Sequence, residues 1–109
     1  MMIHTKGHFD SAHYLNNYNG KCNQLHGHRW EVEVWAEGRK LDKTGILLDF
    51  SVIKRILNKL DHTCLNYVFR FNPTAENLAI WIRNEIKKDF NGKVRVRLYE
   101  SPDSWAEVK

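Results

Sequence analysis

The stretch His26-Gly27-His28-Arg29-Trp30-Glu31-Val32-Glu33-Val34-Trp35-Ala36-Glu37 carries the period of a half-buried β-strand. Within it Trp30, Val32 and Val34 alternate with Arg29, Glu31 and Glu33, so one face is apolar and the other charged. A strand over 26–37 therefore belongs to a sheet with one side packed. The strand also opens on two histidines. Side chains at i and i+2 of a strand point the same way, so the imidazoles of His26 and His28 project together, and Gly27 puts no bulk between them.

The flanking sequence fills in an order of elements. Residues 2–9 read as a first strand, leading into the polar turn Asn16-Asn17-Tyr18-Asn19-Gly20. Gly38 marks a turn after the second strand, and the short apolar run 45–49 closes a hairpin with it. A helix is predicted at about 50–60, where Phe50, Ile53, Ile56, Leu57 and Leu60 share a face, with Asp49 or Ser51 as its cap. Residues 61–73 read as a loop. Thr74 caps a second helix whose stripe is Leu78, Trp81, Ile82 and Ile86, and Asn91-Gly92 stops it. Val94, Val96 and Leu98 alternate as a further strand, and 104–108 reads as a last short one. Strands, then two helices, then strands give an α+β fold: an antiparallel four-stranded sheet with two helices packed on one face. Such a sheet leaves one face and its edges open, which oligomerisation would cover.

Composition bounds the class. A length of 109 residues fits a single domain, 1–109, with one modest core. No apolar run approaches the ~20 residues of a membrane span. With no signal-peptide pattern at the start, the two cysteines, Cys22 and Cys64, read as free thiols and the location as cytoplasmic. The net charge of +4 is scattered, not gathered on a stripe, which argues against a nucleic-acid partner and is compatible with a small anionic substrate.

Five of the six histidines lie within the first 28 residues. A third nitrogen beside His26 and His28 would complete a metal tripod, and His13, just after the first strand, is the best-placed candidate. Three neutral imidazoles suit zinc and leave a fourth position open, the mark of a catalytic site. His4 and His8 share a strand face and read as surface residues. Cys22, four residues before His26, has three readings: a fourth ligand, a small buried residue, or a reactive thiol. The reactive reading is preferred, because a closed structural site normally contains more cysteine.

At this point the sequence resembles a known family. Phe9-Asp10-Ser11-Ala12-His13, Cys22-Asn23-Gln24-Leu25-His26-Gly27-His28, Leu48-Asp49-Phe50, Leu60-Asp61-His62-Thr63-Cys64-Leu65-Asn66, Asn72-Pro73-Thr74-Ala75-Glu76-Asn77 and Tyr99-Glu100-Ser101 are similar, in order, to motifs of the 6-pyruvoyl-tetrahydropterin synthase superfamily. The three-residue gap between Cys22 and His26 resembles the QueD group, the 6-carboxytetrahydropterin synthases of queuosine and 7-deazapurine biosynthesis. The resemblance implies a tunnelling fold, with trimers stacked into a hexamer and active sites between subunits. It implies zinc on His13, His26 and His28, Cys22 as a catalytic general base, and Asp61 and His62 as a proton-relaying pair acting with the cysteine of a neighbouring subunit. Glu100 would anchor the pterin ring, with Thr74 assisting. Lys21 and Arg29 read as surface charges. The implied substrate is a dihydropterin triphosphate.

Overall fold

A computed structural model describes all 109 residues. In chain order the elements are β1 (Met2–His13), a 3-10 turn (Lys21–Asn23), β2 (His26–Glu37), α1 (Phe50–Asn58), β3 (Thr63–Cys64), α2 (Leu65–Val68), α3 (Ala75–Lys87), β4 (Lys93–Ser101) and β5 (Ser104–Val108). They build one five-stranded sheet in the order β3-β1-β2-β4-β5, antiparallel except for the short β1–β3 pairing. No helix is long and apolar enough to cross a membrane.

Period-two alternation sorts the two faces. Phe9 pairs with Trp30, Gly7 with Val32 and Val34 with Val96, and these residues turn toward the helices. His4, Lys6, Glu31, Glu33, Arg95 and Arg97 turn to the other face, which no helix covers. On that open face Tyr99 Oη donates to Glu33 at 2.8 Å, and Arg97 pairs with Glu107 at 2.9 Å.

The helices close the core side. The Asp49 carboxylate caps α1 by accepting the Ser51 N–H at 2.9 Å, and the helix buries Ile53, Ile56 and Leu57 over β1. Gly7 permits this approach, because a Cβ there would lie 2.7 Å from Leu57 Cδ1. Thr74 caps α3 by accepting the Asn77 N–H at 3.1 Å, and Leu78, Ala79, Ile82 and Ile86 pack over β4 and β5. Burial of each of these leucine and isoleucine side chains contributes about 1.5–3 kcal/mol.

The α+β reading and both helix caps stand, and five details are corrected. The sheet has five strands, because Thr63 and Cys64 pair with Ser11 and Ala12 in a two-residue ladder too short to show a period. The predicted loop 61–73 thus holds β3 and the one-turn α2. The run 45–49 is not a strand. Asp42 accepts the N–H groups of Thr44 and Ile46, and Gly45 takes φ 86°, so the chain curls instead of extending. Finally, Phe50 is exposed at the first turn of α1, and α3 ends at Lys87, before Asn91-Gly92.

Candidate metal centre

The apolar stripes of three strands run on into a polar cluster. His13 follows Phe9 and Ser11 on the core face of β1, and His26 and His28 precede Trp30 on that of β2. Glu100 follows Val94, Val96 and Leu98 on β4, at a β-bulge between Tyr99 and Ser101. One ligand atom from each of these four residues lies within 4.8 Å of all the others. The ring centroids are 4.6 Å apart for His13–His26, 5.2 Å for His13–His28 and 4.8 Å for His26–His28, with the rings steeply inclined to one another.

Backbone carbonyls set the tautomers of two rings. His13 Nδ1 lies 2.8 Å from the Pro73 carbonyl, and His26 Nδ1 lies 2.7 Å from that of Gln24. A carbonyl only accepts, so each Nδ1 carries the proton and each Nε2 keeps its lone pair. The Nε2 atoms of His13 and His28 are buried without a hydrogen-bond partner. Glu100 Oε1 approaches them at 3.6 and 3.0 Å, the first too long for a hydrogen bond. Trp30 is fully buried behind them, its ring centroid 4.8 Å from that of His13 and 5.2 Å from that of His28, and its indole N–H donates to the Ser11 carbonyl at 3.2 Å.

Burial pushes the pKa of both His13 and His28 below the ordinary imidazole value. It outweighs the upward pull of the Pro73 carbonyl on His13 and of the Glu100 carboxylate on both. The rings are therefore neutral, the state in which an imidazole binds a metal. Buried lone pairs without partners are costly, and a cation between them removes that cost. Carbonyl-oriented imidazoles are also the usual outer-shell arrangement of metal histidines. Three nitrogens and one carboxylate oxygen around one point can hold a metal ion.

The other expected site residues lie elsewhere on the chain. Cys22 is a half-buried free thiol on the 3-10 turn, whose carbonyl accepts the Leu15 N–H at 2.8 Å. Its sulfur is not among the clustered ligand atoms, so no closed Cys–His centre forms. Asp61 and His62 do meet: His62 Nδ1 is 2.8 Å from Asp61 Oδ2. The pair is clamped to β1, with the Asp10 N–H donating to Asp61 Oδ1 at 2.8 Å and the His62 N–H donating to the Asp10 carbonyl at 2.7 Å. These bonds, the Asp10 N–H first and His62 second, hold the Asp61 carboxyl below its usual range. The His62 side chain is 81% exposed.

Two clefts flank Glu100. One, of about 320 Å³, is lined by His13, Asn72, Thr74 and Glu76 among others, and the second, of about 440 Å³, by Glu76, Ser104 and Trp105. Cys22, Asp61 and His62 line neither. Sequence reasoning missed the two orienting carbonyls, for which no side-chain signal exists. It also missed the place of Glu100 beside the histidines, which the β4 alternation Val94, Val96, Leu98, Glu100 would have given. His4, read as a surface residue, has Glu33 Oε2 2.9 Å from its Nε2 on the open face.

Residues 2–109 match the family model described as 6-pyruvoyl tetrahydropterin synthase. A relative from Rickettsia felis, a 6-carboxy-5,6,7,8-tetrahydropterin synthase, is 33% identical over 129 residues, covering 92% of this chain and 94% of its own. A dihydroneopterin monophosphate aldolase from Pyrococcus furiosus is 35% identical over 108 residues, covering 93% of this chain and 90% of its own. The structure of 6-pyruvoyl tetrahydropterin synthase from Caenorhabditis elegans superposes with a TM-score of 0.80 at 23% identity, covering 100% of this chain and 94% of that one, a likeness of fold.

Proposed function

This chain belongs to the 6-pyruvoyl tetrahydropterin synthase family, and on that premise we propose that it is a zinc-dependent 6-carboxy-5,6,7,8-tetrahydropterin synthase. The reaction converts 7,8-dihydroneopterin triphosphate and water to 6-carboxy-5,6,7,8-tetrahydropterin, acetaldehyde and triphosphate, in queuosine biosynthesis. The observation that carries the reading is the convergence of His13, His26 and His28, with two buried Nε2 atoms left unpartnered.

Zinc bound there would act as a Lewis acid on the side-chain hydroxyls of the substrate. The Pro73 and Gln24 carbonyls keep the His13 and His26 lone pairs aimed inward. Trp30 walls the site from the core. Glu100 accepts the paired N–H donors on the amidine-like edge of the pterin. Thr74 lines the adjoining cleft, though its hydroxyl already caps α3. Cys22 serves as the general base that removes and returns a proton. His62, oriented by Asp61, relays protons from a neighbouring subunit, a reading favoured by its exposure and by its place outside the lining of either cleft. The uncovered sheet face and the unpaired outer edge of β5 favour a homo-oligomer, read as a hexamer of two trimers. A cytoplasmic location suits two free thiols.

The test is incubation of the purified protein with 7,8-dihydroneopterin triphosphate, with and without a zinc chelator, followed by mass spectrometry. The expected result is chelator-sensitive formation of the 6-carboxy product with acetaldehyde. Absence of that product from the metal-loaded protein overturns the reading. The Pyrococcus furiosus relative supports a second reading, aldol cleavage of dihydroneopterin monophosphate, which the same assay tests with that substrate.

A further inference from the structure

We infer that Glu100 is a displaceable fourth metal ligand: its carboxylate closes the three-histidine site in the substrate-free enzyme and leaves when a pterin ring takes it. This rests on the reading above, in which the histidines hold zinc and Glu100 receives the ring. Four ligand atoms at 2.0–2.1 Å from a tetrahedral zinc stand about 3.3 Å from one another. Glu100 Oε1 is 3.0 Å from His28 Nε2 and 3.6 Å from His13 Nε2, on either side of that edge length. The His13 contact is longer than a hydrogen bond, neither nitrogen has another partner, and one carboxylate oxygen faces both, as a ligand of a shared centre does.

The backbone supports the same assignment. Bulges re-aim side chains beside functional sites, and the irregularity between Tyr99 and Ser101 falls on Glu100. The side chain is 30% exposed and lines both clefts, whereas the side chain of His13 is 1% exposed. It is the one member of the group that opens onto both clefts. The electrostatics agree. Three neutral imidazoles leave a dication uncompensated beside the core, and one carboxylate halves that charge. A carboxylate with Oε1 on the ion cannot present both oxygens in the fork that the two parallel donors of a pterin edge need. Docking of the ring therefore vacates the coordination position that the hydroxylated side chain needs, and the Lewis acid is uncovered only when substrate is seated.

Cobalt(II) in place of zinc gives a visible spectrum that reports its coordination. The probe for displacement is 6-methyl-7,8-dihydropterin, which has the ring but no side-chain hydroxyl to offer the metal. In the wild-type protein this compound should change the cobalt spectrum. Glu100→Gln and Glu100→Ala should change it without any pterin, and should weaken metal binding in a chelator competition by roughly 10- to 100-fold. Unchanged spectra and affinities in both variants overturn the inference, as does a wild-type spectrum unmoved by millimolar 6-methyl-7,8-dihydropterin. Spectral responses as expected without 6-carboxy product would sink the proposed reaction and leave this inference standing. Normal turnover with unresponsive spectra would do the reverse, and a wild-type protein that takes up no cobalt overturns both.

Discussion

His13 stands opposite His26 on the last rung of the β1–β2 ladder, with ring centroids 4.6 Å apart. The rung fixes both rings through paired backbone, so each is a rigid ligand and neither can be replaced by a neighbour. His26→Ala should cut metal content from about one ion per chain to under about a tenth of that after dialysis. His4→Ala, on the open face, should leave it unchanged. Elemental analysis of the two purified variants decides, and a His26→Ala protein that keeps its metal contradicts the tripod.

Removing the metal should lower stability. A ligand that binds only the folded state stabilises it by about 4 kcal/mol when present at 1,000 times its dissociation constant. The chelated protein should therefore melt at a lower temperature, and added zinc should restore the original midpoint. Identical melting curves with and without chelator would show that folding and metal binding are not linked.

Trp30 supports both the core and the ligands. Trp30→Ala should cost about 3–5 kcal/mol through the cavity it leaves. Trp30→Phe keeps much of the volume but strips the Ser11 carbonyl of its indole donor, at about 1–2 kcal/mol. Urea unfolding of the chelated proteins measures both without interference from the metal. Equal losses in the two variants would mean that the indole N–H, not the volume, dominates.

Acid sensitivity follows from Asp61. Its folded pKa lies below the ordinary 3.8, so the folded state binds its proton more weakly than the unfolded one. The stabilisation is present above the unfolded pKa and is lost as pH falls through the lower, folded value. Asp61→Asn removes the titrating group. The stability gap between wild type and variant should be largest near neutrality and should begin to close below about pH 4. Thermal melts from pH 3 to 7 test this, and a gap that does not vary with pH argues that the carboxylate charge contributes nothing.

Cys22→Ala separates chemistry from metal binding. Its sulfur lies outside the ligand cluster, so metal content should hold. Loss of a general base should slow turnover by roughly 10²- to 10⁴-fold. A variant that turns over normally would remove the thiol from the mechanism.

The features legible in the sequence were those written in alternation or at fixed offsets. Trp30, Val32 and Val34 disclosed β2, and His26 and His28 disclosed two convergent ligands. Asp49 and Thr74 disclosed the helix starts, because a capping side chain acts within three residues. What stayed hidden depends on contacts distant in sequence. β3 exists only because Thr63 and Cys64 meet β1, and the tautomer of His13 depends on a carbonyl 60 residues away. The run 45–49 misled because its apolar residues pack from a turn that Asp42 and Gly45 impose. Glu100, by contrast, keeps the parity of Val94, Val96 and Leu98 through the bulge, so its place was legible in β4.

The metal ligands and the core share one parity along β1, β2 and β4. A hairpin zipped one residue out of step would turn every such side chain to the wet face, histidines included. Metal loading is thus a direct assay of folding fidelity: a misaligned chain can be neither well packed nor charged with its ion. Substitutions at Val32 or Val34 that deplete the metal, though far from it, would then be diagnosed as alignment faults and not as damage to the coordination shell.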